Sequence, residues 1–263
     1  MSGTTTPARA RRRPSRGARL AYGALGVLGE LLITLGVLVL AFLVWQLWWT
    51  DVEGNRQQAE VVRELPRVAV PTPTAGAGPL VATPRRDDPP VMADVEYRTT
   101  FATIQVPRWD GEPERPVSEG TDRPGVLDVL GVGHYPGTAM PGDVGNFALA
   151  AHRTTFAKPF NRIAELQEGD AVVVRTATVD GGPGTDTWYV YRVTSWEIVR
   201  PYQTEVIAPV PGRPGEAPTE RYITLTTCHP MFSARERYIV HGVLDYWAPV
   251  ADGIPAELVE GAR

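Results

Sequence analysis

Residues 224–230 read Thr224-Leu225-Thr226-Thr227-Cys228-His229-Pro230, a threonine-rich run that predicts the end of a β-strand. Cys228 is the only cysteine among 263 residues, so it cannot form a disulfide bond within its own chain. Three interpretations remain for this thiol: a buried filler of the core, a link between two chains, or a nucleophile. The polar residues predicted to lie beside it favour the nucleophile.

The N-terminus predicts a membrane anchor. Residues 1–19 contain six arginines and no acidic residue, and a strongly apolar stretch follows within residues 20–50. Its core, residues 31–49, would form a helix about 28 Å long, close to the hydrocarbon thickness of a bilayer. A cleaved signal peptide is the alternative, but its apolar core is usually only about 7–15 residues long. We therefore expect a basic cytoplasmic segment at 1–19, a single transmembrane anchor at 20–50 and an extracellular remainder.

The distribution of charge along the chain argues against nucleic acid as a partner. The chain carries a net charge of −4, and because residues 1–19 contribute +6, residues 20–263 carry −10. An acidic outer portion offers no electrostatic basis for binding nucleic acid. The basic segment is suited to orienting the anchor and to contacting anionic lipids.

Residues 51–93 are predicted to be an extracellular linker. A polar helix can continue over residues 51–65, and residues 66–90 are rich in Pro, Ala, Gly and Thr. Such a composition buries too little apolar surface to fold, which predicts a flexible stalk; an ordered arm lying on the domain is the alternative. One domain at 94–250 follows, and residues 251–263 are predicted to be a short disordered tail.

Strand signals dominate residues 94–250 and predict a mainly β domain with short helices. Segments rich in β-branched and aromatic residues alternate with clusters of Gly, Pro and Asp. Many short strands and few helices predict a closed or nearly closed β-barrel, with a β-sandwich as the alternative. The clearest helix signal covers residues 159–166. The predicted strands are 101–107, 146–151, 171–176, 187–199, 221–227 and 237–247.

Three reactive side chains are predicted to meet at one rim of this domain. His152 ends one strand, Cys228 ends another, and Arg237 opens the strand that follows. If all three lie at the same rim, a thiolate can attack a carbonyl, an imidazolium can protonate the departing amine, and a cation can stabilise negative charge. Arg235 points to the same side as Arg237 by strand period and is the alternative cation.

Structural interpretations stand beside each of these assignments: a buried thiol, a hydrogen-bonded histidine at a strand end, and a surface salt bridge. Zinc binding by Cys228 and His229 is disfavoured, because adjacent residues seldom ligate one ion well and no second cysteine exists. We therefore predict no metal and no cofactor. The remaining histidines are predicted not to be catalytic: His134, His229 and His241.

Several segments follow the motif order of one known family. Thr224 to Cys228 matches a Thr-Leu-x-Thr-Cys signature, and Arg237 stands nine positions on, where that family carries an essential arginine. Residues 134–142 and 145–153 resemble the segment that ends in the catalytic histidine, although Ala151 stands where glycine is usual. Across residues 97–247 the chain thus resembles the sortases, the cell-wall transpeptidases of Gram-positive bacteria.

The resemblance implies an eight-stranded sortase barrel and a two-step acyl transfer. Cys228 would attack the Thr–Gly bond of a C-terminal sorting signal and form a thioacyl intermediate. His152 would act as acid and then as base, and Arg237 would stabilise the oxyanion. The implied partners are surface proteins that carry the signal and the amine of a lipid-linked peptidoglycan precursor.

His229-Pro230 and residues 134–142 are most similar to class E sortases of actinobacteria, which implies a signal of the Leu-Ala-x-Thr-Gly type. Tyr135 and Thr227 are then the candidates for contacting substrate, although Tyr135 is equally consistent with a structural aromatic in a tight turn. Two other functions remain open. One is an extracellular cysteine hydrolase or endopeptidase that uses the same Cys-His-Arg site, and the other is an inactive anchored binding module.

Overall fold

The structure is a computed structural model that describes residues 16–72, 78–179 and 181–260. Four parts of the predicted organisation lie outside the described residues: 1–15 of the basic segment, 73–77 of the linker, residue 180 of the domain and 261–263 of the tail.

Helix α1 (Arg16–Glu64) contains the apolar stretch predicted to be a membrane anchor. Contacts divide the chain into two units after Trp48, so α1 begins in the first unit and ends in the second. Its large apolar side chains from Leu31 to Trp45 are exposed. Among the described residues, α1 is the one helix long and apolar enough to cross a membrane.

Eight strands form the domain of the second unit, and a short helix, α2 (Ala256–Glu260), follows them. The strands are β1 (Thr100–Gln105), β2 (Arg115–Glu119), β3 (Val132–His134), β4 (Gly145–Ala150), β5 (Ala171–Thr176), β6 (Thr187–Val199), β7 (Arg221–His229) and β8 (Glu236–Pro249). They close into a barrel in the order β1-β2-β3-β4-β7-β8-β6-β5. The predicted eight-stranded, mainly β barrel is confirmed, and the sandwich alternative is wrong.

Aromatic and branched aliphatic side chains fill the barrel. Phe101, Phe147, Leu149, Tyr191 and Leu225 are each at most 1% exposed and belong to one cluster. Burial of one such side chain contributes about 1.5–3 kcal/mol, and the alternation of these residues along the strands decides which face of each strand points inward.

The six predicted strands omit β2 and β3. β2 contains Pro116, which lacks a backbone donor, and it still pairs with β1 on one side and β3 on the other. β3 has three residues, one of which is Gly133. Local sequence signals are weak in both segments, and it is pairing with neighbours distant in the chain that makes them strands.

Described residues on both sides of the barrel sequence, in the predicted linker and in the predicted tail, make backbone hydrogen bonds with each other and with β8. Arg85 and Trp247 exchange two backbone hydrogen bonds of 2.9 Å, and the N–H of Ala82 donates to the carbonyl of Ile254 at 2.8 Å. Residues 78–93 are therefore an ordered arm. Ala82 and Met92 of the arm are buried, and Met92 belongs to the core cluster, so apolar contacts add to the backbone pairing with β8 and with the segment after it.

The helix predicted over residues 159–166 is reduced to a single 3-10 turn at Ile163–Glu165. The N–H of Phe160 donates to the carbonyl of His152 at 3.0 Å. This bond ties residue 160 to the segment that follows β4.

Candidate active site

Strand direction brings the three predicted catalytic residues to one end of the barrel. β4 and β7 are parallel, so their carboxyl ends lie together, and His152 follows β4 by two residues. β8 is antiparallel to β7, and Cys228 is the register partner of Arg237. A groove of about 580 Å³ opens here, and His152, Cys228 and Arg237 all line it.

Cys228 is a free, half-buried thiol near the end of β7. Thr227, also in the groove lining, is 3% exposed, and its hydroxyl donates to the carbonyl of Ala151 at 2.7 Å. This bond joins the strand end that carries the thiol to the residue before His152. It therefore helps to set the spacing of the thiol and the imidazole.

His152 is held from two sides. Its Nε2 lies 2.6 Å from Oδ1 of Asp128, and its ring packs against Phe156 with the centroids 5.1 Å apart. Within the described ranges no residue hydrogen-bonds its Nδ1, so that nitrogen is available for proton transfer. Burial lowers the pKa of His152 below the ordinary imidazole value, and the hydrogen bond and charge of Asp128 oppose that shift.

Asp128 is a site residue that sequence reasoning missed. It is one of 30 acidic residues and lies 24 positions before His152, directly after the helical turn Arg123–Leu127. Nothing in its local pattern distinguishes it from the other carboxylates. A carboxylate bonded to one imidazole nitrogen fixes the orientation and tautomer of the ring, so Asp128 is placed to orient His152.

The two candidate arginines differ in position. Arg237 lines the groove, whereas Arg235 is exposed and is not part of the lining. Nη1 of Arg237 donates to the carbonyls of Ala234 and Glu236 at 3.0 Å each. These bonds use part of the five-donor guanidinium fork, so other donors remain for a substrate oxygen.

Arg153 is a second residue near the site that sequence reasoning did not single out, although it directly follows His152. It is 7% exposed, and its Nη1 donates to the carbonyl of Cys228 at 3.2 Å and lies 2.9 Å from Nδ1 of His229. Its guanidinium stacks over the ring of Tyr238 at 5.4 Å. Burial lowers the pKa of Arg153. Arg153 thus joins the histidine segment to the end of the cysteine strand.

Tyr135 also lines the groove, and its hydroxyl lies 3.1 Å from Oγ1 of Thr226. The neighbouring His134 is buried, with Nδ1 2.5 Å from Oε2 of Glu119. His134, His229 and His241 are not among the groove-lining residues. The described part of the chain contains no group of three or more His, Cys, Asp or Glu side chains that could hold a metal ion.

The family model and the similar proteins all belong to one family. The family model for the sortase domain matches residues 104–245. Sortase SrtE2 of Streptomyces coelicolor is 35% identical over 251 residues, which cover 91% of this chain and 88% of SrtE2. Sortase SrtE1 of the same organism is 35% identical over 242 residues, and the aligned part covers 88% of this chain but only 60% of SrtE1.

Solved structures agree with the sequence comparisons. The SrtA sortase from Actinomyces oris superposes with a TM-score of 0.61 at 46% identity, covering 66% of this chain and 96% of that one. Sortase E1 from S. coelicolor superposes with a TM-score of 0.54 at 38% identity, covering 61% and 96%. The chain belongs to the sortase family of cysteine transpeptidases and is similar to its class E members.

Proposed function

We propose that this protein is a membrane-anchored transpeptidase that cleaves the Thr–Gly bond of a C-terminal sorting signal and transfers the acyl group to an amine. The observation that carries the proposal is the common groove of Cys228, His152 and Arg237. A thiol, an imidazole and a guanidinium in one groove supply the nucleophile, the proton carrier and the stabilising cation that acyl transfer needs.

In the first step the Cys228 thiolate attacks the threonine carbonyl carbon and forms a C–S bond. Arg237 donates hydrogen bonds to the negatively charged oxygen that develops. The His152 imidazolium transfers its proton to the departing glycine nitrogen as the C–N bond breaks. The products are a thioester on Cys228, neutral His152 and a free amine.

In the second step an incoming amine attacks the thioester carbonyl. His152 accepts the proton that the amine loses, a new C–N bond forms, and the C–S bond breaks to return the thiolate. Asp128 orients the imidazole in both steps through its bond to Nε2. The Cys228 thiolate and the His152 imidazolium, with which the cycle began, are both restored.

We infer a signal of the Leu-Ala-x-Thr-Gly type from the similarity to class E sortases. Tyr135 and Thr227 line the groove beside Cys228 and are proposed to contact this signal. One relative, sortase E1, has been crystallised with a tripeptide in its active site, which supports peptide binding at the corresponding place.

The proposed location is the cell membrane, with a single pass through α1, a cytoplasmic N-terminus and an extracellular barrel. The arginine-rich segment supports this orientation, because positively charged flanks remain in the cytoplasm. The proposed partners are surface proteins that carry the signal and the amine of a lipid-linked peptidoglycan precursor. An enzyme anchored in the same membrane meets such a precursor at a high effective concentration.

The test uses the full chain in detergent with a Leu-Ala-x-Thr-Gly peptide and a glycine-based amine. We expect mass spectrometry to detect an amine-dependent ligation product, and Cys228→Ala to abolish it. Full turnover by Cys228→Ala would overturn the mechanism. Peptide cleavage that does not depend on the amine would instead support the hydrolase, and absence of turnover would support the binding module. A Leu-Pro-x-Thr-Gly peptide run in parallel tests the inferred signal.

A further inference from the structure

The C-terminal part of α1, residues 51–64, packs on the segment that follows His152. We call these residues of α1 the docking segment and residues 152–161 the histidine loop. Both belong to the second structural unit. The docking segment has a buried face that includes Gly54, Gln58 and Val62, whereas residues such as Arg56 and Glu60 are exposed.

Close contacts join the two segments. The side-chain amide of Gln58, which is 1% exposed, donates to the carbonyl of Phe156 at 3.1 Å. Nζ of Lys158 lies 2.7 Å from Oδ2 of Asp51. Gly54 approaches so closely that a Cβ atom there would lie 2.8 Å from the main-chain nitrogen of Ala157 and from the carbonyl carbon of Phe156.

The contacted part of the histidine loop has an unusual backbone. Phe156, Ala157 and Lys158 are consecutive non-glycine residues with φ of +52°, +65° and +42°. Such left-handed conformations persist in non-glycine residues only where surrounding contacts hold them. The docking segment provides those contacts at each of the three residues.

The same short stretch reaches the candidate active site. The ring of Phe156 packs on the ring of His152 at 5.1 Å with an interplanar angle of 32°. The position of this ring depends on a backbone that the docking segment holds. The helix that precedes the barrel is therefore linked to the imidazole through one intervening residue.

We propose that the docking segment completes the active site by positioning His152 through Phe156, with Gly54 and Gln58 as positioning residues. The proposal rests on the proposed function, in which His152 carries protons. It adds that residues of α1, outside the barrel, contribute to the position of the imidazole.

The pKa of His152 is a readout that a merely structural role of the docking segment would not change. The imidazole of His152 is hydrogen-bonded to Asp128 and lies near Arg123. Cys228 and Arg237 line the same groove. Burial is the main reason why the pKa of His152 is lowered. A displaced Phe156 ring exposes the imidazole, so the pKa should rise toward its ordinary value.

The experiment compares Gly54→Ala and Gln58→Leu with wild type in the full chain. Alanine favours a helix more than glycine does, so weaker helix formation cannot explain a loss caused by Gly54→Ala. Gln57→Leu is the matched control, because Gln57 bonds Glu53 within α1. We expect both test variants to lower kcat by about tenfold or more with little change in KM for the peptide, because misplaced catalytic groups slow the chemical step. We expect the control to retain activity.

The second measurement is the titration of His152 followed by NMR, which does not require turnover. Phe156→Leu keeps the main-chain contacts with α1 and removes only the ring, so it should raise the pKa of His152 as the docking variants do. Phe156→Leu also tests the contact between Phe156 and His152 if Gly54→Ala and Gln58→Leu fail to fold. Wild-type kcat and an unchanged His152 titration in the folded variants would overturn the proposal. An inactive wild type would contradict the proposed function instead, and the titration would then decide the positioning role by itself.

Discussion

The groove and the barrel wall each contain a histidine paired with a carboxylate, and the two pairs have different consequences. In the groove, His152 bonds Asp128 through Nε2. In the wall, His241 uses both ring nitrogens: Nδ1 lies 2.9 Å from Oγ1 of Thr224, and Nε2 lies 3.3 Å from Oε1 of Glu197. Burial lowers the pKa of both histidines.

The difference between the two sites is access. His152 has a nitrogen without a hydrogen-bond partner in the described chain, and it lines a groove with a thiol and a guanidinium. His241 is built into a polar network inside the sheet, where Oγ1 of Thr224 also donates to Oδ1 of Asn146 at 2.7 Å. A histidine–carboxylate pair therefore indicates catalysis only where one nitrogen of the ring can reach a substrate.

Exchanging each histidine for glutamine should separate these roles most clearly. We expect His152→Gln to lower kcat by about 10²–10⁴-fold, because general acid–base catalysis is lost. His241→Gln should leave kcat nearly unchanged and lower the free energy of unfolding by about 1–3 kcal/mol, because a buried hydrogen-bond network is broken. Peptide-transfer kinetics and urea unfolding of both variants provide the measurement. Equal kinetic losses would show that access does not distinguish the two sites.

Arg237 lies inside the groove and Arg235 outside it, so substitutions of these two arginines make a second comparison. Arg237→Lys should lower kcat/KM by about 10²-fold, since an ammonium group cannot reproduce the geometry of the guanidinium fork. Arg235→Lys is the matched control and should remain within about twofold of wild type, because Arg235 is exposed and keeps its charge. The same transfer assay is used for both. A larger loss for Arg235→Lys would reverse the assignment of the cation.

The smallest expected effect is the pH dependence of stability. Burial lowers the pKa of His241 in the folded state. On acidification, His241 therefore takes up a proton at the ordinary histidine pKa in the unfolded chain, while in the folded chain its side chain stays neutral. The free energy of unfolding should therefore fall as the pH falls through that range. His241→Gln should make the decrease shallower in urea titrations at several pH values, and an unchanged slope would contradict this interpretation.

Local sequence patterns single out the residues proposed to carry the chemistry, but not the residues that hold them in place. Cys228, His152 and Arg237 stand in short motifs at strand ends, and strand direction alone suggests that they meet. Asp128 and Arg153 have no comparable signal, because an ordinary acid and an ordinary arginine acquire meaning only from a partner distant in the chain. β2 and β3 were missed for the same reason, since their strand conformation depends on pairing rather than on propensity.

The sequence by itself determined the apolar helix, most strands of a mainly β domain, and the family motifs around the thiol, because these features follow from periodicity, composition and spacing along the chain. Only the tertiary structure decided that residues 78–93 lie on the barrel as an arm and that residues 51–64 dock on the histidine loop. It also decided which carboxylate meets His152 and which arginine lines the groove. These outcomes depend on contacts between residues far apart in sequence, whose free energy arises only once the barrel has closed.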